Sequence, residues 1–186
     1  MAFPPPRLLE LAEQVVTRLR ARKETLSLVE TAAGGLVSSA ILSVPGTSGV
    51  FAGSVVAYQL GARERWLGWT DDDTASYDGP TEAICLKLAS SCRSQLSSTY
   101  CVAESGCAGP GRPDKYRAEV DGPGYCALGL VGEGGTSKGR TVRVPQRRGG
   151  EEGAGAGARA ENMVKFGEAM LELLLEELEH RDLDGR

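Results

Sequence analysis

Apolar residues recur at Leu8, Leu11, Val15 and Leu19 with Arg and Glu between them, the spacing of one face of an α-helix. Pro4, Pro5 and Pro6 precede it and fix an extended entry. Residues 25–30 read as a short buried strand that runs directly into Thr31-Ala32-Ala33-Gly34-Gly35, where glycine permits a tight turn. Residues 36–44 have the length and composition of a helix, stopped by Pro45-Gly46. A second strand is expected over 50–58, a short helix over 62–67, and an acidic connection over 70–79. Pro80-Thr81-Glu82 opens a helix to about Ser97, buried through Ile84, Leu88 and Cys92, and 100–104 is another strand.

The next stretch, Ser105-Gly-Cys-Ala-Gly-Pro-Gly111, reads as a loop, followed by a polar surface excursion over 112–123. A strand over 124–131, a glycine-rich link over 132–136 and a strand over 141–144 suggest a hairpin. Residues 149–157 are a Gly/Ala/Glu stretch better treated as a mobile loop. The closing helix buries Met163, Phe166, Met170, Leu173, Leu174 and Leu178. Strands alternating with helices, then a hairpin and a last helix, predict an α/β fold: a three-layer α/β/α sandwich around a mixed sheet. Its expected extent is one domain over 7–181, after a flexible segment at 1–6 and before a tail at 182–186 that should fray.

A length of 186 residues supports that single domain without disulfides or a structural metal. The net charge of -4 is made of interspersed signs, so no basic stripe for nucleic acid exists. Cysteines at 85, 92, 101, 107 and 126 form no C-x-x-C pair, and one histidine, His180, accompanies them. No metal site is expected, and the thiols read as reduced core residues. No apolar run approaches the ~20 residues of a membrane span, and the N-terminus lacks a secretory h-region. Arg7, Arg18, Arg20 and Arg22 have the spacing of a transit peptide, against which Glu10 and Glu13 argue. The expectation is a soluble, cytoplasmic protein without membrane contact or cofactor.

In open α/β sheets ligands gather outside the carboxyl ends of strands, where a turn leads into a helix N-terminus. Glu30-Thr31-Ala32-Ala33-Gly34-Gly35 offers there a hydroxyl, bare backbone N–H groups and a positive helix end, a combination suited to an oxyanion or phosphate. Residues 105–111 offer the same kind of surface. Each glycine turn also has a purely structural reading, and neither is a Walker loop or a dinucleotide fingerprint.

Four segments together are more specific: Glu-Thr-Ala-Ala-Gly-Gly-Leu at 30–36, Val-Pro-Gly-Thr-Ser at 44–48, Gly-Ser-Val-Val-Ala-Tyr at 53–58 and Ser-Gly-Cys-Ala-Gly-Pro-Gly at 105–111. In this order the chain resembles the C-terminal domain of the CinA family, over about residues 8–178. That family is known for nicotinamide-nucleotide amidase activity, which converts nicotinamide mononucleotide to nicotinic acid mononucleotide and ammonia. The resemblance implies a nucleophile at Thr31, where the family's Glu-Ser-Cys-Thr-Gly-Gly has Ser. It implies catalytic roles at Arg63, which replaces the family's activating Lys, and at Ser105, which replaces the Thr of Thr-Gly-x-Ala-Gly-Pro. Substrate contacts are implied at Ala32, Ala33, Gly34, Gly35, Tyr58, Gly106, Cys107, Ala108 and Gly109. Arg159 stands where a family Arg meets the nucleotide phosphate, while Met163 stands in place of a second one. The family's Lys-Pro-x-Gly-Thr segment is not recognisable near 122–125.

A guanidinium keeps its proton, so Arg63 cannot act as general base, although it can bind phosphate or an oxyanion. Glu30 and Glu104, beside the two glycine segments, are the remaining candidates; strand alternation turns Glu30 away from Thr31 unless the turn starts there. Cys107 is either a packing residue or a nucleophile that needs a lowered pKa. Two functions stay open: an amide hydrolase acting on a nicotinamide-type nucleotide, and a catalytically degenerate nucleotide-binding relative. The partner is a small nucleotide or amide in either case. A homo-oligomer is implied by the family, with Trp66 and Trp69 either at the interface or in the core.

Overall fold

A computed structural model describes residues 3–146 and 156–184. Helix α1 (Pro6–Arg22) buries the predicted stripe of Leu8, Leu11, Val15 and Leu19 together with Val16. Strand β1 (Leu26–Glu30) is buried at all five residues, as expected for a parallel strand covered on both faces. Helix α2 (Leu36–Leu42), strand β2 (Phe51–Val56), helix α3 (Leu60–Leu67) and helix α5 (Glu82–Leu96) fall where the pattern placed them. Helix α5 is capped by Thr81, whose hydroxyl accepts the Ile84 N–H at 3.2 Å.

The sheet is completed by β3 (Tyr100–Cys107), β4 (Tyr125–Gly132) and β5 (Ser137–Arg143), in the order β2-β1-β3-β4-β5. Strand β1 is parallel to both β2 and β3, whereas β3–β4 and β4–β5 are antiparallel. Alternation along the central strands divides the core in two. Leu26, Leu28, Tyr100, Val102, Leu128 and Leu130 face α1, α2 and the long helix α6 (Ala156–Asp184). Val29, Cys101, Ala103 and Ala127 face α5 and the Leu67–Trp69 region. The result is the expected three-layer α/β/α sandwich. Edge strand β5 carries Lys138, Arg140 and Arg143, charges that discourage pairing with another sheet.

Four local departures have identifiable causes. Residues 71–75 form a short helix, α4 (Asp71–Ala75), instead of a plain connection, because Thr70 and Asp73 close a capping box. Strand β3 continues through Ser105, Gly106 and Cys107, which pair with Ala127, Cys126 and Tyr125 of β4; the segment read as a loop is half strand. Strand β5 is longer than the predicted 141–144 for the same reason, a full antiparallel ladder with β4. Residue 182 does not fray: Arg18 Nη1 lies 3.1 Å from Asp182 and Arg22 also pairs with it, tying α6 to α1. Of the mobile loop expected at 149–157, residues 149–155 lie outside the described residues, as do 1–2 and 185–186. Trp69 is buried and Trp66 is exposed. Among the described residues no helix is long and apolar enough to cross a membrane.

Candidate functional site

Parallel β1, β2 and β3 end on the same side of the sheet; the chain leaves β1 and β2 through short turns and β3 through the longer connection of residues 108–124. Thr31 follows β1, Tyr58 and Gln59 follow β2, and Ser105 and Gly106 lie near the end of β3. These residues line one cavity of about 470 Å³ with Leu60, Gly61, Arg63, Tyr77, Lys115 and Tyr116. Its position is the one open α/β sheets use for ligands, and its volume suits a small molecule.

The Arg63 side chain comes from the first turn of α3 and is 3% exposed. Its Nη2 donates to Ser105 Oγ at 3.1 Å and its Nε to the Ala57 carbonyl at 3.4 Å. The guanidinium carbon lies 5.0 Å from the Trp69 ring centroid and 5.2 Å from that of Tyr77, a cation–π arrangement. Nη1 is buried without a hydrogen-bond partner among the described residues. A desolvated cation with a spare N–H is costly unless an acceptor or anion meets it.

Two buried carboxylates stand behind the cavity with different tasks. Glu30 Oε2 accepts the Gly35 and Val37 N–H groups at 2.9 and 3.1 Å, and Oε1 accepts the Ser38 N–H at 2.9 Å and its hydroxyl at 2.5 Å. It therefore satisfies the orphan donors at the start of α2. Gly34 and Gly35 have φ of +70° and +93°, the left-handed turn that lets the chain enter α2 against Glu30.

Glu104, fully buried on β3 and level with Glu30 in the parallel register, holds a different segment. Its Oε1 accepts the Thr31 and Ala33 N–H groups at 2.5 and 2.7 Å, and its Oε2 lies 3.4 Å from the Thr31 hydroxyl that donates to it. Burial pushes this carboxyl up from 4.5 to about 7; the Ala33 and Thr31 N–H groups lower it, neighbouring Glu30 raises it and Arg63 lowers it.

The structure thus brings Thr31, Tyr58, Arg63, Ser105 and Gly106 together around one space. Ala32, Ala33, Gly34, Gly35, Cys107, Ala108 and Gly109 are not part of that lining. Cys107 is buried, its thiol donates to the Gly111 carbonyl at 3.3 Å, and burial pushes its pKa up, so it packs and is no activated thiolate. The 105–111 segment leads into an antiparallel strand rather than a helix, which removes the helix-end field expected there. Arg159 donates to the Gly109 carbonyl and, at 3.3 Å, to the Tyr58 hydroxyl, bracing the rim instead of lining the cavity.

Gln59, Leu60, Gly61, Tyr77, Lys115 and Tyr116 were not anticipated. Tyr77 and Tyr116 meet edge to face at 5.9 Å, and the Lys115 ammonium lies 5.3 Å over the Tyr77 ring. Their segments carry no periodic signal. The hint available in the sequence is the placement of two tyrosines and a lysine in otherwise polar connections. Among the described residues no group of three or more His, Cys, Asp or Glu gathers to hold a metal.

Known proteins agree with this architecture. A family model described as CinA C-terminal domain matches residues 8–177. A CinA-like protein of Chlorobium phaeovibrioides is 33% identical over 170 residues, covering 90% of this chain and 37% of that protein. A CinA-like protein of Thermotoga sp. strain RQ2 is 37% identical over 109 residues, covering 57% of this chain and 27% of the relative. The chain therefore spans well under half the length of these relatives. The crystal structure of competence/damage inducible protein CihA from Agrobacterium tumefaciens superposes with a TM-score of 0.79 at 22% identity, covering 95% of this chain and 98% of that one. Competence damage-inducible protein A from Klebsiella pneumoniae gives a TM-score of 0.79 at 21% identity, covering 93% and 98%. The chain belongs to the CinA C-terminal domain family.

Proposed function

We propose that the cavity hydrolyses the carboxamide of a pyridine nucleotide, of which nicotinamide mononucleotide is the representative, and releases ammonia. The observation that carries this reading is that Thr31, Arg63 and Ser105 line one cavity, and that the buried Nη1 of Arg63 has no hydrogen-bond partner among the described residues. Thr31 attacks the carboxamide carbon, and Arg63 holds the oxyanion that develops on the carbonyl oxygen, through a donor fixed in place before the reaction. Ser105, held by Arg63 Nη2, orients the amide. Tyr77 and Tyr116 give the pyridine ring an aromatic wall, and Lys115 supplies a cation at the same wall for the anionic end of the nucleotide.

The test is ammonia release from nicotinamide mononucleotide by the purified chain and by Thr31→Ala. The reading expects release by the parent and none by the variant; no ammonia above a protein-free control removes it. One observation favours the alternative of a nucleotide-binding relative without chemistry: the N–H groups of Thr31 and Ala33 are already taken by Glu104, so they are not free to hold an oxyanion. That alternative predicts a rise in melting temperature with pyridine nucleotides, by mass action, and no ammonia.

A further inference from the structure

We propose that Glu104 is the general base of this site, drawing the proton from the Thr31 hydroxyl through Oε2 while Oε1 is pinned by the Thr31 and Ala33 N–H groups. The substrate in this inference rests on the amide-hydrolase reading; the relation between Glu104 and Thr31 does not.

Geometry separates Glu104 from every other candidate. Both oxygens of Glu30 are spent on four donors of the α2 start. Arg63 is a guanidinium and cannot give up its proton usefully. The single histidine, His180, is adjacent to Arg181, which lies over Tyr100 at the opposite end of β3 from Glu104. The Lys115 ammonium sits on the outer aromatic wall, over Tyr77.

Glu104 has one oxygen anchored by two short hydrogen bonds and one left for Thr31, and among the described residues only the Cys126 thiol, at 3.9 Å, shares Oε2. The 3.4 Å from Oγ1 to Oε2 is longer than a catalytic hydrogen bond, as is common before substrate binds.

The charged and titratable groups that act on Glu104 are Glu30 from β1, Arg63 from α3, Cys85 from α5 across the sheet, and Cys126 from β4, whose thiol contacts it. Burial outweighs the rest and leaves the carboxyl near neutrality, where it can both accept and return a proton. The thiols of Cys85 and Cys126 are pushed up by burial and by Glu104, so they stay protonated beside it.

The proton balance closes without another base. Thr31 Oγ1 bonds to the carboxamide carbon as its proton passes to Oε2, and the carbonyl electron pair moves onto the oxyanion facing Arg63 Nη1. Collapse breaks the C–N bond, and the proton on Oε2 leaves with the nitrogen as ammonia. Water then attacks the Thr31 ester, gives one proton to Oε2, and the second collapse frees the carboxylic acid and returns that proton to Thr31 Oγ1.

The experiment follows acetylation of Thr31 by p-nitrophenyl acetate, located by peptide mass spectrometry across pH, in the parent, Glu104→Gln and Glu104→Asp, beside ammonia release from nicotinamide mononucleotide. Circular dichroism confirms that each variant is folded. The parent is expected to acetylate at Thr31 with a rate that rises along one limb centred near neutral pH. Glu104→Gln is expected to lose that limb and about 10²–10⁴-fold in rate. Glu104→Asp, which keeps a carboxyl but withdraws it from the hydroxyl, should retain the limb at a lower plateau.

A purely structural role would lower the rate at all pH values and leave the limb in Glu104→Gln, and that result overturns the inference. So does a parent that is not acetylated at Thr31. Glu104-dependent acetylation without ammonia from the nucleotide removes the substrate assignment alone. Ammonia release undiminished in Glu104→Gln removes the base alone.

Discussion

Below about pH 4.5 the Glu104 carboxyl is protonated in the folded and the unfolded chain alike; between there and about pH 7 only the unfolded chain ionises it. A carboxyl whose folded pKa is raised contributes stability below its unfolded value and loses that contribution as pH climbs through the folded one. Going from 4.5 to about 7 amounts to about 3 kcal/mol, undiscounted because the group is fully buried.

Glu104→Gln removes this titration while its amide oxygen can still accept from the Thr31 and Ala33 N–H groups. The difference in stability, parent minus variant, should therefore fall by about 3 kcal/mol over the window, most of it between about pH 5 and pH 8. In a domain of this size that equals roughly 6–12 °C in the difference between melting temperatures. Thermal denaturation of both proteins in matched buffers measures it directly, since other titrating groups cancel in the difference. Melting curves that stay parallel across the window would refute the raised pKa and the burial argument behind it.

Other consequences can be measured separately. Glu30→Ala strips the acceptor from three backbone N–H groups and one hydroxyl at the start of α2 and should cost about 3 kcal/mol or more in denaturant unfolding; a loss below about 1 kcal/mol contradicts that role. Gly106→Ala places a Cβ 2.8 Å from the Tyr125 carbonyl oxygen and 2.9 Å from the Phe166 ring, for an expected loss of about 1–3 kcal/mol in the same assay. Arg63→Lys gives up the planar donor set between Trp69 and Tyr77 and should lower ammonia release by about 10²-fold or more. An increase would mean that a lysine, not Glu104, suits this site as base.

How much of this was legible in the chain depends on the range of the contact. The α1 stripe, the fully buried β1 and the cap at Thr81 are local, and the pattern located each of them. The convergence of Thr31, Tyr58, Arg63 and Ser105 followed from motif order together with the rule that parallel strands deliver their ends to one side.

Ser105–Cys107 read as loop because glycine and small residues dominate there. Pairing with β4, twenty residues away, makes them strand, and Gly106 is there for want of space. Tyr77, Lys115 and Tyr116 escaped notice for a similar reason. Their loops are shaped by polar contacts that carry no periodic pattern: the Arg112 guanidinium binds the Val120, Tyr116 and Arg117 carbonyls within its own loop, and Arg117 pairs with distant Asp78. The division of labour between Glu30 and Glu104 depended on how two neighbouring strand ends lie side by side, one carboxylate holding 31–33 and the other 35–38. Only the parallel register, with Val29 opposite Ala103, fixes which carboxylate reaches Thr31.

The most direct measurement is acid quenching of the protein during turnover of nicotinamide mononucleotide, followed by peptide mass analysis of the segment containing Thr31. A covalent ester on the Thr31 hydroxyl, absent in Thr31→Ala and in samples without nucleotide, is the predicted result. Ammonia formed while the Thr31 peptide stays unmodified and Thr31→Ala keeps full activity would contradict the account.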